Sequence, residues 1–401
     1  MEVVYKRCCG IDVHKRSVVA CLITGTSKEI RTFGTMTADI EELSNWLIDN
    51  QCEAIAMEST GVYWKPIYNV LEVFGWEIIV ANAHHIKNVP GRKTDVKDSE
   101  WIANLLKHGL LNPSFIPDKE QRETREMARY RKSLVEGRSR EINRLEKILE
   151  GANIKLSGVV SDLTGVSSRN ILRRIMNNSL NKDTMEELLH GSLKGKVDEL
   201  LKACQGVLSK TQKVLVNAIL DHIDDMSKRI GEMDDYLREL LEKYDEACKK
   251  LQAIPGIGER SAQVILAELG VDMSRFPSDK HISKWAGLCP GNNQSAGRNK
   301  SGKTGKGNKT LKTTLIQSAQ TASRKEGSFF KAQYERLVVR RGPKRAKVAV
   351  AHSMLISIYH MLKDKSSFAD LGESYYNSFN LEKKVNYHLK KLNQLGWAPS
   401  R

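Results

Sequence analysis

The chain has 401 residues, with 64 Lys and Arg against 48 Asp and Glu, a formal net charge of +16 and a pI near 9.4. That length holds two or three domains with real cores, and the basic excess favours a polyanionic partner such as nucleic acid. The seven Cys include no two-residue-spaced pair, which argues against a disulfide framework or a zinc site. With no signal peptide and no apolar run long enough to span a bilayer, a reduced cytoplasmic compartment is expected.

Residues 8–23 read as a strand, a tight turn and a returning antiparallel strand. The first apolar run ends at Asp12, and the turn carries His14, Lys15, Arg16 and Ser17. Ile30 to Phe33 is a third short strand. Thr37 to Asn50 is an amphipathic helix with Ile40, Leu43, Leu47 and Ile48 on one face. Ala54 to Glu58 is a buried strand that again ends at a carboxylate. A helix with Trp64, Ile67, Val70, Leu71 and Phe74 follows, then a strand from Trp76 to Val80. Thr94 is the expected N-cap of a helix running to about Gly109, with Asp95 and Asp98 sharing its first turn. The order strand, strand, strand, helix, strand, helix, strand, helix predicts an α/β layer with a mixed sheet.

Acids at strand ends and helix starts are individually ordinary. If these strands are neighbours and the helix packs at their edge, however, Asp12, Glu58, Asp95 and Asp98 converge. Four carboxylates would repel one another, so divalent cations are their natural neutraliser. Two Mg²⁺ or Mn²⁺ ions so held can clamp the attacking and leaving oxygens of a phosphoryl transfer.

A long charged helix is expected from about Pro117 to Asn153, its apolar stripe broken at Arg138, and short helices follow to Gln205. A second long helix is expected from about Ser209 to Ala253. Its heptad stripe through Ile219, Ile223, Met226, Ile230 and Leu237 is consistent with an intramolecular hairpin or, as favoured here, an intermolecular coiled coil. Ile254-Pro255-Gly256-Ile257-Gly258 has the form of a helix-hairpin-helix turn. Gly256 and Gly258 either expose backbone N–H groups to a phosphate or close a tight core connection. No acid lies between Asp279 and Glu326. The glycine-rich loop there carries Ser295, Arg298, Lys300, Ser301, Lys303, Lys306, Asn308, Lys309 and Lys312, suited to a nucleic-acid backbone. A serine among such cations can touch phosphate or attack it. Arg336, Arg340, Arg341, Lys344, Arg345 and Lys347 form a further cluster, read as backbone contacts or as a solvated face.

Several blocks together resemble the DEDD transposases of the Piv/MooV invertase type, the insertion-sequence recombinases associated with a bridge RNA. Gly-Ile-Asp-Val-His-Lys at 10–15, Met-Glu-Ser-Thr-Gly at 57–61 and Lys-Thr-Asp-Val-Lys-Asp at 93–98 match the RuvC-like N-terminal domain of that family. Ile-Pro-Gly-Ile-Gly at 254–258, Ala-Gly-Leu-Cys-Pro at 286–290 and Lys-Gly-Asn at 306–308 match its transposase domain. The resemblance implies an RNase H-like (RuvC-like) domain at 1–116 and coiled-coil helices at 117–250 with a helical insertion at 156–208. A mostly α transposase domain at 251–365 and a tail at 366–401 complete the division. Asp12, Glu58, Asp95 and Asp98 would be the metal-binding tetrad, and Ser295 the nucleophile that links covalently to DNA. The family continues Ser-Gly where this chain has Ser295-Ala296-Gly297, so Ser301, followed by Gly302, is a second candidate. Lys15, Arg92 and Lys93 join the loop and cluster cations as expected nucleic-acid contacts. The implied partners are donor and target DNA, a structured non-coding guide RNA and further copies of the chain, in a bacterial, nucleoid-associated setting.

Two rival readings stand beside it. One is a RuvC-like structure-specific endonuclease that hydrolyses DNA with metal-activated water and needs no serine. The other is a non-catalytic nucleic-acid scaffold whose acids are surface features.

Overall fold

The computed structural model describes residues 2–59, 61–82, 86, 98–291, 294–295, 298–299, 302–378, 381–395 and 397. The chain forms two compact units, Met1–Lys119 and Glu120–Arg401.

In the first unit the described residues form a five-stranded sheet of β1 (Arg7–Val13), β2 (Val18–Thr24), β3 (Ser27–Phe33), β4 (Ala54–Glu58) and β5 (Glu77–Ala81), ordered β3-β2-β1-β4-β5. The first three strands are antiparallel, while β4 and β5 run parallel to β1. Alternation along β1 assigns its side chains to two faces. Cys9, Ile11 and Val13 join Ile55, Met57, Leu22 and Val80 in one core, covered by Leu43 and Leu47 of α1 (Thr37–Asp49) and Ile67 and Leu71 of α2 (Trp64–Leu71). The opposite face is built from small side chains, Cys8, Gly10, Cys21, Ala54 and Ala56. It receives Ile102, Ala103 and Leu106 of α3 (Asp98–Lys107). The helix expected from Thr94 is thus seen from Asp98, and its expected start lies outside the described residues.

In the second unit α4 (Lys119–Gly151) and α8 (Lys210–Leu240) lie antiparallel. Arg131 pairs with Asp234 at 2.7 Å, and Arg138 donates to Ser227 at 3.3 Å. Met226, Ile230 and Leu237, the stripe expected to be an intermolecular seam, are therefore buried within one chain. Such a stripe specifies a helical partner without saying whose. Between these helices α5 (Val166–Met176), α6 (Lys182–Leu188) and α7 (Val197–Ala203) close one end of the pair. Ile171, Leu172, Met185 and Leu200 pack there with Leu145, Leu149, Val216 and Ile219.

The single helix expected over 209–253 is broken. It ends at Leu240, and α9 (Asp245–Gln252) follows a one-turn 3₁₀ segment. No Gly or Pro marks the break. Burial of Leu241, Cys248 and Leu251 redirects the chain instead. The chain continues through α10 (Glu259–Leu269), α11 (Asp279–Trp285), the short strands β6 (Gln294–Ser295) and β7 (Arg298–Asn299), and α12 (Lys309–Ala322). It ends with α13 (Phe329–Arg341), α14 (Pro343–Lys363), α15 (Gly372–Ser378) and α16 (Leu381–Gln394). Among the described residues no helix is long and apolar enough to cross a membrane.

Candidate active site

Asp12 and Glu58 stand at the ends of adjacent parallel strands. The pairing register runs from Cys8 with Ala54 to Ile11 with Met57, so the next residues on the two strands are Asp12 and Glu58. Both belong to the face that α3 covers, because Asp12 follows Gly10, and Glu58 follows Ala56, by two residues. The helix comes unusually close there. A Cβ on Gly10 would overlap the Ala103 nitrogen and the Ser99 carbonyl oxygen. Lys28 of β3 fixes the same helix through Glu100 at 2.7 Å. Asp98 opens α3, where the helix dipole favours a carboxylate.

These three acids feel one another. Burial first pushes the Asp12 carboxyl above its ordinary value; His14 pulls it down, while Asp98 and Glu58 push it further up. The Nε2 of His14 lies 3.1 Å from Asp12 Oδ2. Lys15 is exposed in the same β1–β2 turn. Asp95, Arg92 and Lys93 lie outside the described residues. Among the described residues no group of three or more His, Cys, Asp or Glu side chains is placed to hold a metal ion. The donor chemistry available, carboxylate oxygen, is nevertheless what a hard divalent cation selects.

In the second unit the described residues of the acid-free loop pair as a hairpin. Gly291 donates to the Lys303 carbonyl at 2.8 Å, and Gly305 donates to that of Cys289 at 3.3 Å. Further out, the backbone of Ser295 pairs with that of Arg298, and Gln294 with Asn299. Lys300 and Ser301 lie outside the described residues. At its base the hairpin is closed glycine on glycine: a Cβ on Gly307 would overlap the Gly287 nitrogen and come within 2.6 Å of the Trp285 carbonyl oxygen. The Ala-Gly-Leu and Lys-Gly-Asn motifs are thus two sides of one contact. Lys303, Lys306 and Lys309 are exposed around it, and Lys312 donates to Thr304 Oγ1 at 2.5 Å.

Gly256 has a packing reason for being glycine. It has φ of +82°, and a Cβ there would lie 2.8 Å from the Ala322 nitrogen of α12. Gly258 is open and stands at the N-cap of α10. Arg340, Arg341, Lys344 and Arg345 are all exposed where α13 turns into α14 at Gly342, whose φ is +75°.

Sequence reasoning missed a buried group behind the hairpin. Glu268 of α10 is 0% exposed and is met by Arg125, Arg129 and Asn308. The available signal was a Glu amid Ile265, Leu266 and Leu269 on the apolar face of its helix, with two Arg four residues apart on α4.

Comparison with known proteins supplies a second line. Residues 9–154 match the DEDD transposase family of IS110, described as "Transposase", and residues 248–335 match the "Transposase IS116/IS110/IS902 family". The transposase for insertion sequence element IS1111A of Coxiella burnetii is 24% identical over 373 residues, 90% of either chain. The pilin gene-inverting protein of Moraxella lacunata is 23% identical over 375 residues, 90% of this chain and 96% of that one. The matched segments contain Asp12, Glu58, Asp95 and Asp98 in the first, and Ser295 and Asn308 in the second.

Proposed function

The chain belongs to the IS110 family of insertion-sequence transposases, and from that premise we propose that it cuts and rejoins DNA by transient attachment to a serine. The observation that carries the reading is the gathering of Asp12, Glu58 and Asp98 against one face of the sheet. The strand order and the crossing of α3 over β1 support an RNase H-like fold for residues 1–116. Asp95 is the proposed fourth member of the tetrad. Two Mg²⁺ or Mn²⁺ ions held by these carboxylates would stabilise the charge that develops on a scissile phosphate.

Ser295 is the proposed nucleophile. Its Oγ attacks phosphorus and gives up its proton; an O–P bond to the enzyme forms, and the bond to one deoxyribose oxygen breaks. The second strand's hydroxyl then displaces the serine and reseals the backbone, so no phosphodiester energy is lost to water. Lys303, Lys306, Lys309 and the cations from Arg340 to Arg345 contact the backbone, with Lys15, Arg92, Lys93, Arg298 and Lys300 as further candidates. The net charge of +16 supports polyanionic partners, here donor and target DNA and a structured guide RNA. The homo-oligomer would join through faces of the α4–α8 pair that remain exposed, which carry Tyr130 and Tyr236. A bacterial, nucleoid-associated location follows from these partners.

The experiment is capture of a protein–DNA adduct on a plasmid bearing the gene with its flanking DNA. The wild type is expected to form an adduct that survives denaturant, and Ser295→Ala is expected to form none. Adduct formation by Ser295→Ala would move the nucleophile to Ser301 or elsewhere. Cutting with no adduct from the wild type would favour a water-using nuclease.

A further inference from the structure

The hairpin that bears Ser295 leaves the fold at Asn308, and a fully buried carboxylate lies behind that residue. Burying an ionised carboxylate is costly unless its oxygens are met by donors. Arg129 donates to the two oxygens of Glu268 at 2.7 and 2.9 Å, and Arg125 Nε lies 3.2 Å from one of them. Asn308 Nδ2 donates to the same side chain at 2.6 Å. Arg125 also donates to the Glu268 carbonyl at 2.6 Å, and its guanidinium lies 6.0 Å from the Trp285 ring.

Asn308 connects this centre to the hairpin. Its side-chain oxygen accepts from Leu311 N at 3.0 Å and so caps α12; its own N–H donates to the Trp285 carbonyl at 3.1 Å. The adjoining Gly307 packs against Gly287. One side chain therefore receives the start of a helix with its oxygen and reaches the buried carboxylate with its nitrogen.

We infer that Glu268 is a positioning residue for the Ser295 hairpin, fixing through Asn308 the direction in which the hairpin leaves the fold. It touches no substrate. Its consequence for DNA cutting rests on the proposed serine chemistry; its hold on the hairpin does not. A plain structural ion pair with Arg125 and Arg129 would give Asn308 no such part.

The test uses the full chain. Asn308→Asp keeps a capping oxygen but sets a carboxylate against Glu268. Combining it with Glu268→Gln restores a donor–acceptor pair of reversed polarity at unchanged total charge. Hydrogen exchange is read at the amides of Gly291, Gly305 and Asn308, and adduct formation on the plasmid described above, with plasmid retention and thermal unfolding alongside. Asn308→Asp is expected to speed exchange and slow adduct formation about tenfold, and the double variant to recover both within about threefold. Wild-type exchange in Asn308→Asp, or a double variant no better than the single, would overturn the inference. If Asn308→Asp fails to fold, Asn308→Ser, a cap too short to reach Glu268, takes its place: faster exchange upholds the inference and wild-type exchange overturns it. Faster exchange together with an adduct that does not depend on Ser295 would uphold the positioning role while refuting the serine.

Discussion

A Cβ on Gly10 would lie 2.8 Å from the Cα of Ala103, so the first strand and the third helix are in backbone contact two residues before Asp12. The small face of the sheet, with Cys8, Ala54 and Ala56 beside Gly10, is what lets α3 come down far enough for Asp98 to act on Asp12. The candidate site therefore depends on missing side chains as much as on the acids.

Gly10→Ala is expected to destabilise the chain by about 1–3 kcal/mol, because the added methyl meets backbone that has nowhere to move. Gly231→Ala, in the exposed interior of α8 with nothing within 4 Å of the added Cβ, is expected to stabilise by about 0.5–1 kcal/mol. Urea unfolding of the two variants reads the opposite signs.

The seven Cys are all unpaired, and Cys289 alone among them is more than marginally exposed. Burial pushes the Cys8 and Cys21 thiols up to about 11 and Cys52 up to about 12. An unfolded chain gives up these protons first, so stability is expected to fall as pH rises from about 9 towards those values. Thermal unfolding between pH 8 and 10.5 measures the fall, and Cys52→Ala should lessen it. In the native chain at pH 8 iodoacetamide is expected to label Cys289 ahead of the other six, as read by peptide mass mapping.

The exposed cations at the α13–α14 turn offer a test that leaves the fold alone. Replacing Arg340, Arg341, Lys344 and Arg345 by Gln should weaken DNA retention and flatten its salt dependence by about 0.9 logarithmic units for each phosphate no longer neutralised. Unchanged retention with an unchanged salt slope would assign these residues to the solvated surface.

The N-terminal unit was largely legible because each of its signals is local. Near-continuous apolar runs marked β1 and β2, which are buried on both faces, and the carboxylates at Asp12 and Glu58 closed apolar runs in plain view. What sequence periodicity could not supply was the owner of a partner surface. The stripe from Ile219 to Leu237 demanded a helix against it, and α4 of the same chain meets that demand as well as a second copy would. The continuous heptad also hid the break after Leu240, since tertiary burial of Leu241 and Cys248, rather than a breaker residue, turns the chain. Glu268 escaped notice because its partners lie 40 and more residues away; in a single sequence a buried Glu looks like any Glu. The hairpin was visible as composition, basic and acid-free, whereas its closure by Gly287 and Gly307 is a contact between two separate motifs.

Asp12, Glu58 and Asp98 are proposed to share one cation-binding site. Burial, with Asp98 and Glu58, holds the Asp12 carboxyl above its ordinary value against the pull of His14. Without a cation its ionisation therefore costs stability as pH rises through the ordinary carboxylate range, and a bound divalent ion reverses that cost. The most direct measurement is a Mn²⁺ titration at pH 7 followed by electron paramagnetic resonance of the free ion, on the wild type and on Glu58→Gln. Uptake by the wild type, with affinity at least about tenfold weaker in the variant, is the predicted result. Equal uptake by the two proteins, or none by the wild type, would contradict it.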